Sequence, residues 1–289
     1  MTELELSKAI EDVLVARNVR NMQVAQAALE PGYYLRAASY LRDCSGNVII
    51  GTGFPVADTF ETDGPVGAIV LYRALEELGA CPWLACAPPL ADAIAGDYRV
   101  LPLLAPTLPQ AEQEAAKVLA ELAPAVVISI ERPGLTADGN YYNMRGEDIS
   151  PRCGIFDPFV SMAACPTIAI GDGGNEIGMG NIREAIAGLD INASVTGCDE
   201  LLVADVSNWA AYGLLAFLGL WSDRNFLANV SHMDILDYLS ARGSVDGVTR
   251  ENTLTEDGLE PEAGEQMINE LHRLVYPDGI WTVEKETTA

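Results

Sequence analysis

Short apolar runs alternate along the chain with longer stretches whose apolar residues recur at helical spacing. The runs Asn47–Thr52 (NVIIGT), Trp83–Ala87 (WLACA), Arg99–Leu104 (RVLPLL), Ala125–Ile130 (AVVISI), Thr167–Gly171 (TIAIG) and Leu201–Asp205 (LLVAD) predict strands, with a weaker one at Ala193–Gly197. Helical spacing covers Glu3–Leu14, Pro65–Leu78, Gln110–Leu122, Asn175–Ala187, Asn208–Leu220, Met233–Ser240 and Glu262–Leu274. Strands that are apolar throughout are buried on both faces. The repeated β-then-α order therefore predicts an α/β fold, a largely parallel sheet with helices on both faces. Residues 1–45 read as an N-terminal helical part. No repeat or low-complexity linker divides residues 1–289, which read as one α/β domain. The segment Trp209–Trp221 (WAAYGLLAFLGLW) is apolar on every side but too short to span a bilayer, so it predicts a buried helix.

One stretch breaks the pattern. Glu131–Pro151 (ERPGLTADGNYYNMRGEDISP) has no periodicity over about twenty residues, a length at which loops in compact domains are usually functional or disordered. Its two tyrosines, its methionine and its arginines argue against disorder. In an open parallel sheet, ligands bind beyond the carboxyl ends of the strands. Four polar segments fall there: GTGFPVADTFETDGP after the first strand, the ERPG…NMRG loop, GDGGNEIGMGN (Gly171–Asn181), and VSNW before the apolar helix.

Composition narrows the chemistry. The 289 residues are 49% hydrophobic and 20% charged, with a net charge of −25, which disfavours nucleic-acid partners. The N-terminus shows neither a basic region nor an apolar core of a signal peptide, and no long apolar run predicts a membrane span, so a cytoplasmic protein is expected. Six scattered cysteines without a CxxC pair, and only two histidines, argue for reduced thiols rather than a zinc site.

Within GDGGNEIGMGN, the N–H groups of Gly173, Gly174 and Asn175 would face an anion if a helix opens there. Asp172 and Glu176 could handle a metal or a proton. The absence of Gly-Lys-Ser/Thr excludes a Walker-type phosphate loop, and no clean GxGxxG supports an organic cofactor. Thr52 and Asp63 form a second wall, Asp63 also being placed to cap the helix that begins at Pro65. Glu131 stands at a strand end. Arg132 or Arg145 could grip a carboxylate bidentately, and Asn143 offers a donor and an acceptor. Ser207 and Asn208 sit where they could cap the next helix or touch a ligand. Asp63, Glu131, Asp172 and Glu176 make an all-oxygen set that suits Mg²⁺ or Mn²⁺ better than zinc.

The words TGFPV (52–56), ETDGPVGA (61–68), SIERPG (129–134), DGNYYNMRGEDIS (138–150), GDGGNEIGMGN (171–181) and SNWAAYG (207–213) together resemble the D-glutamate cyclase family, in its stand-alone microbial form. The likeness spans roughly residues 45 to 275. It implies a hydro-lyase that converts D-glutamate to 5-oxo-D-proline and water, with a divalent metal as a candidate Lewis acid. Catalysis would then fall to Asp172, Glu176 and Glu131, with Gly173 and Gly174 receiving a substrate carboxylate. Which carboxylate is ligand and which is acid or base stays open. The implied partner is a small acidic amino acid and, at most, further copies of the chain. The competing reading is a metal-dependent phosphatase or other phosphoryl hydrolase, and a third is a non-catalytic binder of small acids.

Overall fold

A computed structural model describes residues 1–277. Three helices come first: α1 (Glu3–Leu14), α2 (Met22–Ala27) and α3 (Tyr33–Leu41). The chain enters the sheet at β1 (Asn47–Thr52), makes a small hairpin of β2 (Pro55–Val56) and β3 (Thr59–Phe60), and continues into α4 (Pro65–Glu77). There follow β4 (Cys81–Cys86), α5 (Leu90–Ile94), β5 (Val100–Pro102), α6 (Leu108–Leu122) and β6 (Val126–Ile130). After a long loop come α7 (Asp157–Ser161), β7 (Thr167–Gly171), β8 (Glu200–Val203), α8 (Ser207–Ser222), α9 (His232–Ser240) and α10 (Pro261–Val275).

The six main strands all run parallel in the order β5-β4-β1-β6-β7-β8, flanked by helices, so the fold is the expected α/β sheet. From β1 the chain moves outward to β4 and β5. It then crosses back and lays down β6, β7 and β8 on the other side. The reversal lies between β1 and β6, where Thr52 is level with Ile130. Loops diverge at such a point and leave a crevice beyond the strand ends.

Strands β6 and β7 are buried at every position, as their largely apolar sequences predict. Helix α8 has no polar face and lies inside the molecule against α3, α4 and α10. Trp209 and Tyr212 are core residues. Apolar side chains of α1–α3, among them Ile10, Leu14, Tyr33 and Tyr34, belong to the same contiguous core as the sheet. No helix among the described residues is long and apolar enough to cross a membrane. All six cysteines are free thiols.

Two expected elements are absent. Residues 175–187 form no α-helix; they make turns with one 3-10 turn, Met179–Ile182. Gly178 there takes φ +98°, a left-handed conformation that ends a right-handed helix before it begins, and Gly180 adds a further poor helix former. Nor is Ala193–Gly197 a strand. Its backbone bonds to loops instead: Val195 N–H donates to Leu135 O, and Thr196 O accepts from Gly178 and Gly180.

The loop after β6 is held in place. Tyr141 and Ile149 pack with Phe54 and Cys153 in a second small core. The Tyr141 hydroxyl donates to Asp157 at 2.7 Å, and Leu135 N–H donates to the other oxygen of the same carboxylate.

Gly51, next to the carboxyl end of β1, faces the ring of buried Phe156; a Cβ there would lie 2.3–2.5 Å from three ring atoms. Gly51→Ala should therefore lower unfolding free energy by roughly 1–3 kcal/mol, the usual cost of overpacking. Denaturant unfolding checks this, and adding Phe156→Leu should recover part of the loss.

Candidate active site

Two helix starts meet at the crevice, and each is capped by the other's segment. Asp63, just before α4, accepts the first N–H groups of α8: Ser207 N–H at 2.9 Å and Asn208 N–H at 2.8 Å. Asn208, in the first turn of α8, returns its side-chain oxygen to Gly64 N–H at 2.9 Å and Gly67 N–H at 2.7 Å at the start of α4. These N–H groups have no partner within their own helices. Gly67 permits the approach, because a Cβ there would press on the Asn208 backbone. Asp63 thus caps the neighbouring helix as well as accepting Gly64 N–H at 2.8 Å at the start of its own, where Asn208 supplies the bond to Gly67 N–H. With Asn208 Nδ2 donating to Thr62 O and Glu256, the side chain is fully committed within the protein.

Asp63, Glu131 and Asp172 converge here, each buried, with carboxylate oxygens within 4.8 Å of one another. Glu131 sits at φ +48° at the end of β6 and accepts Ser207 Oγ–H at 2.5 Å. Asp172 follows β7 and pairs through Oδ2 with Arg20 at 2.6 Å. Arg20, in the turn between α1 and α2, also donates to Asp172 O and pairs with Asp257. A cavity of about 220 Å³ opens onto Glu131 and Asp172, with Arg20, Glu61 and Asp257 in its wall. Of the remaining sequence candidates, Asn143, Arg145 and Asn175 also line it.

The others lie elsewhere. Glu176 is buried behind the cavity, where its carboxylate accepts Gly173 N–H and Gly174 N–H at 2.7 Å each, and Asp172 N–H at 3.3 Å. The glycine-rich loop does hold a carboxylate, but it is the loop's own. The N–H groups of Gly173 and Gly174 are therefore not open to a substrate. Arg132 does not reach the cavity: its guanidinium is buried and donates to the carbonyls of Thr52, Gly53 and Gly154. Thr52 and Ser207 are buried and do not line the cavity.

Burial sets the electrostatics. It raises Glu131, helped by Glu176, Asp63 and Glu61 nearby. Asp172 is likewise raised by burial; Arg20 opposes this, and Glu131 and Asp257 reinforce it. Asp63 is raised to about 7 by burial and then by Asp257, and Glu61 is raised by burial, Asp257 and Asp63. Against the cost of its own burial, Arg20 is held more firmly charged than usual by Asp172 and Asp257. Carboxyls so crowded cannot all ionise, so the cluster retains protons near neutral pH or takes up a cation.

A family model described as D-glutamate cyclase-like, C-terminal, matches residues 10–272. The chain belongs to the D-glutamate cyclase-like family. Within that family, the human mitochondrial D-glutamate cyclase (Homo sapiens) is 31% identical over 250 residues, an alignment covering 74% of this chain and 40% of the relative. The chain thus spans well under half the length of that relative. Among solved structures, an exopolyphosphatase-related protein from Bacteroides fragilis overlaps with a TM-score of 0.44 at 13% identity, covering 86% of this chain and 61% of that one. The family match takes in every cavity residue named above, Arg20 and Asp257 included.

Sequence reasoning passed over Arg20, Glu61 and Asp257. Glu61 stands inside the quoted word ETDGPVGA, but its partner groups are far along the chain. Arg20 carries no local signal at all. Asp257 precedes Gly258 in what reads as an ordinary Asp-Gly turn.

Two predictions arise from these contacts. Gly174 takes φ +106°, and a Cβ there would lie 2.2 Å from Ile191. Gly174→Ala should cost roughly 1–3 kcal/mol or more of stability, through strain and overpacking together; thermal or denaturant unfolding measures it.

The second concerns buried His232, whose Nδ1 meets the Tyr212 hydroxyl at 2.9 Å. Burial lowers its pKa from 6.5 to about 4. The unfolded chain takes up this proton below about pH 6.5, while the folded protein refuses it until about pH 4. The stability His232 contributes is therefore complete above pH 6.5 and is lost as pH falls toward 4. Glu256, raised to about 7 by burial, slopes the opposite way between pH 4.5 and 7. On acidification from pH 6.5 to 4, His232→Gln should gain on the native protein by up to about 1.4 kcal/mol per pH unit. Denaturant titrations of both proteins across that range give the difference.

Proposed function

We propose that the protein cyclises D-glutamate to 5-oxo-D-proline with loss of water in the 220 Å³ cavity. The observation that carries the reading is the buried, crowded trio Asp63, Glu131 and Asp172 in a chain of the D-glutamate cyclase-like family. The substrate's ammonium must shed two protons, one before it attacks the γ-carbonyl carbon and one after, and the departing carboxylate oxygen must gain two to leave as water. Acid and base are best supplied by carboxyls whose environments hold them at different protonation states. Glu131, hemmed in by other carboxyls, keeps its proton and serves as acid. Asp172, paired with Arg20, ionises more readily and serves as base. Arg145 at the cavity wall receives the α-carboxylate, and Asn143, whose amide binds the N–H groups of Arg145 and Glu147 and the Glu147 carboxylate, fixes the turn that carries it. The Glu147 carboxylate, also at the cavity wall, pairs with Arg250 and accepts from Asn143 Nδ2.

The donor set also fits a hard divalent cation such as Mg²⁺ or Mn²⁺, since Asp63, Glu131 and Asp172 offer oxygens only. When bound, such an ion would polarise the γ-carbonyl as a Lewis acid. The reaction is internal and redox-neutral and calls for no organic cofactor. The phosphoryl-hydrolase alternative has less support: of the four arginines at the cavity, Arg20 and Arg250 are already paired, which leaves Arg145 and Arg152 to face a wall that carries Glu61, Glu131, Asp172 and Asp257.

Purified protein incubated with D- or L-glutamate, with and without Mg²⁺ or Mn²⁺, should give a product lighter by one water from the D enantiomer, detected by mass. No such product under any of these conditions would defeat the reading. Glu131→Gln should lower kcat by about 10²–10⁴-fold. Arg145→Ala should act mainly on KM.

A further inference from the structure

The inner cavity does not close on itself. Phe54, Pro55, Ala57 and Arg152 line it and also line a second cleft of about 480 Å³, which lies over the carboxyl ends of β4 and β5. The inner cavity suffices for a free amino acid. The outer cleft has the size of a site for a larger ligand, roughly 300–1,000 Å³, and a free amino acid would leave it unused.

The two spaces differ in character. The outer cleft is walled by Leu90, Leu103, Leu104 and several prolines, and carries no carboxylate except Asp58 at its edge. Arg152 stands where the spaces meet. It is exposed, and among the described residues its guanidinium forms no hydrogen bond or ion pair. Arg132, almost wholly buried, also lines the cleft, and its Nε lacks a partner. The inner cavity, by contrast, presents Glu61, Glu131, Glu147, Asp172 and Asp257; Arg20 is committed to two of these and Arg250 to Glu147, and Arg145 is the group left for the α-carboxylate. A second substrate carboxylate is poorly matched to that wall. A neutral carbonyl is not.

We propose that the outer cleft holds the leaving group of a γ-linked D-glutamyl amide, and that the preferred substrates are γ-D-glutamyl-amino acids with an apolar side chain and a free carboxylate. This rests on the cyclase reading of the inner cavity and names its substrate class. The apolar side chain meets Leu103 and Leu104, and the terminal carboxylate meets Arg152. The glutamyl nitrogen attacks the γ-carbonyl carbon and closes the lactam. The C–N bond to the leaving amino acid breaks, and two of the three ammonium protons end on the leaving nitrogen. The products are 5-oxo-D-proline and a free amino acid; no water, oxidant or reductant enters.

The test compares γ-D-glutamyl-L-leucine with free D-glutamate, on native protein, Leu104→Trp and Arg152→Ala. Leu104 is 64% exposed, so the substitution fills the cleft without entering the core. Native protein should release leucine with a kcat/KM at least about tenfold above that for D-glutamate. Each variant should lower the dipeptide value by about tenfold or more, the scale of one lost charged contact, while Leu104→Trp leaves D-glutamate turnover within about twofold. If D-glutamate is cyclised and the dipeptide is not, the inference is overturned and the cyclase reading stands. Dipeptide turnover indifferent to both variants also overturns it. If only the dipeptide reacts, the inference stands and the loss of water from free glutamate falls. If neither reacts, both fall.

Discussion

The exchange of caps between α4 and α8 fixes the geometry on which the rest of the site depends. Each cap contributes about 0.5–2 kcal/mol by satisfying N–H groups that would otherwise be buried unpaired. Their exchange does more than stabilise two helices. It ties the segment after β1 to the segment after β8, strands that lie on opposite sides of β6 in the sheet. Glu131, at the end of β6, is thereby enclosed from both sides, and Ser207 is delivered to its carboxylate. Asp63 belongs at once to the capping and to the acidic cluster, so architecture and chemistry share a side chain.

That sharing has an electrostatic cost. Three buried carboxyls with oxygens within 4.8 Å of one another, and Glu61 and Asp257 close by, oppose folding unless protons or cations relieve them. One relief comes from outside the sheet: Arg20 reaches in from the N-terminal helices and pairs with Asp172 and Asp257. The N-terminal part is thus more than packing material on α8 and β8. Natural proteins keep such local conflicts where a site needs them and offset them in the surrounding core.

How much of this could be read beforehand divides along physical lines. Strands buried on both faces declare themselves by unbroken apolar sequence, and β1 and β7 fall where their patterns place them. The short edge strand β5 shrinks to three residues, because an edge lacks a neighbour to extend it. Apolar spacing in 175–187 mimics a helix, but spacing does not register that Gly178 must turn left-handed. Strand-end placement brings Asp63, Glu131 and Asp172 together, since topology alone decides that. It does not decide which way Arg132 points, and the backbone carbonyls around Gly53 claim it. Arg20 was illegible because its role depends on a tertiary contact more than 150 residues away.

The glycine-rich loop carries its own counter-ion. With the Glu176 carboxylate seated on three successive N–H groups, the concavity that such loops present to solution is filled from within. Orthophosphate and nucleotide phosphates therefore meet no vacant cradle at this loop. Whatever small acid the cavity takes is held by side chains, not by the N–H groups of this loop.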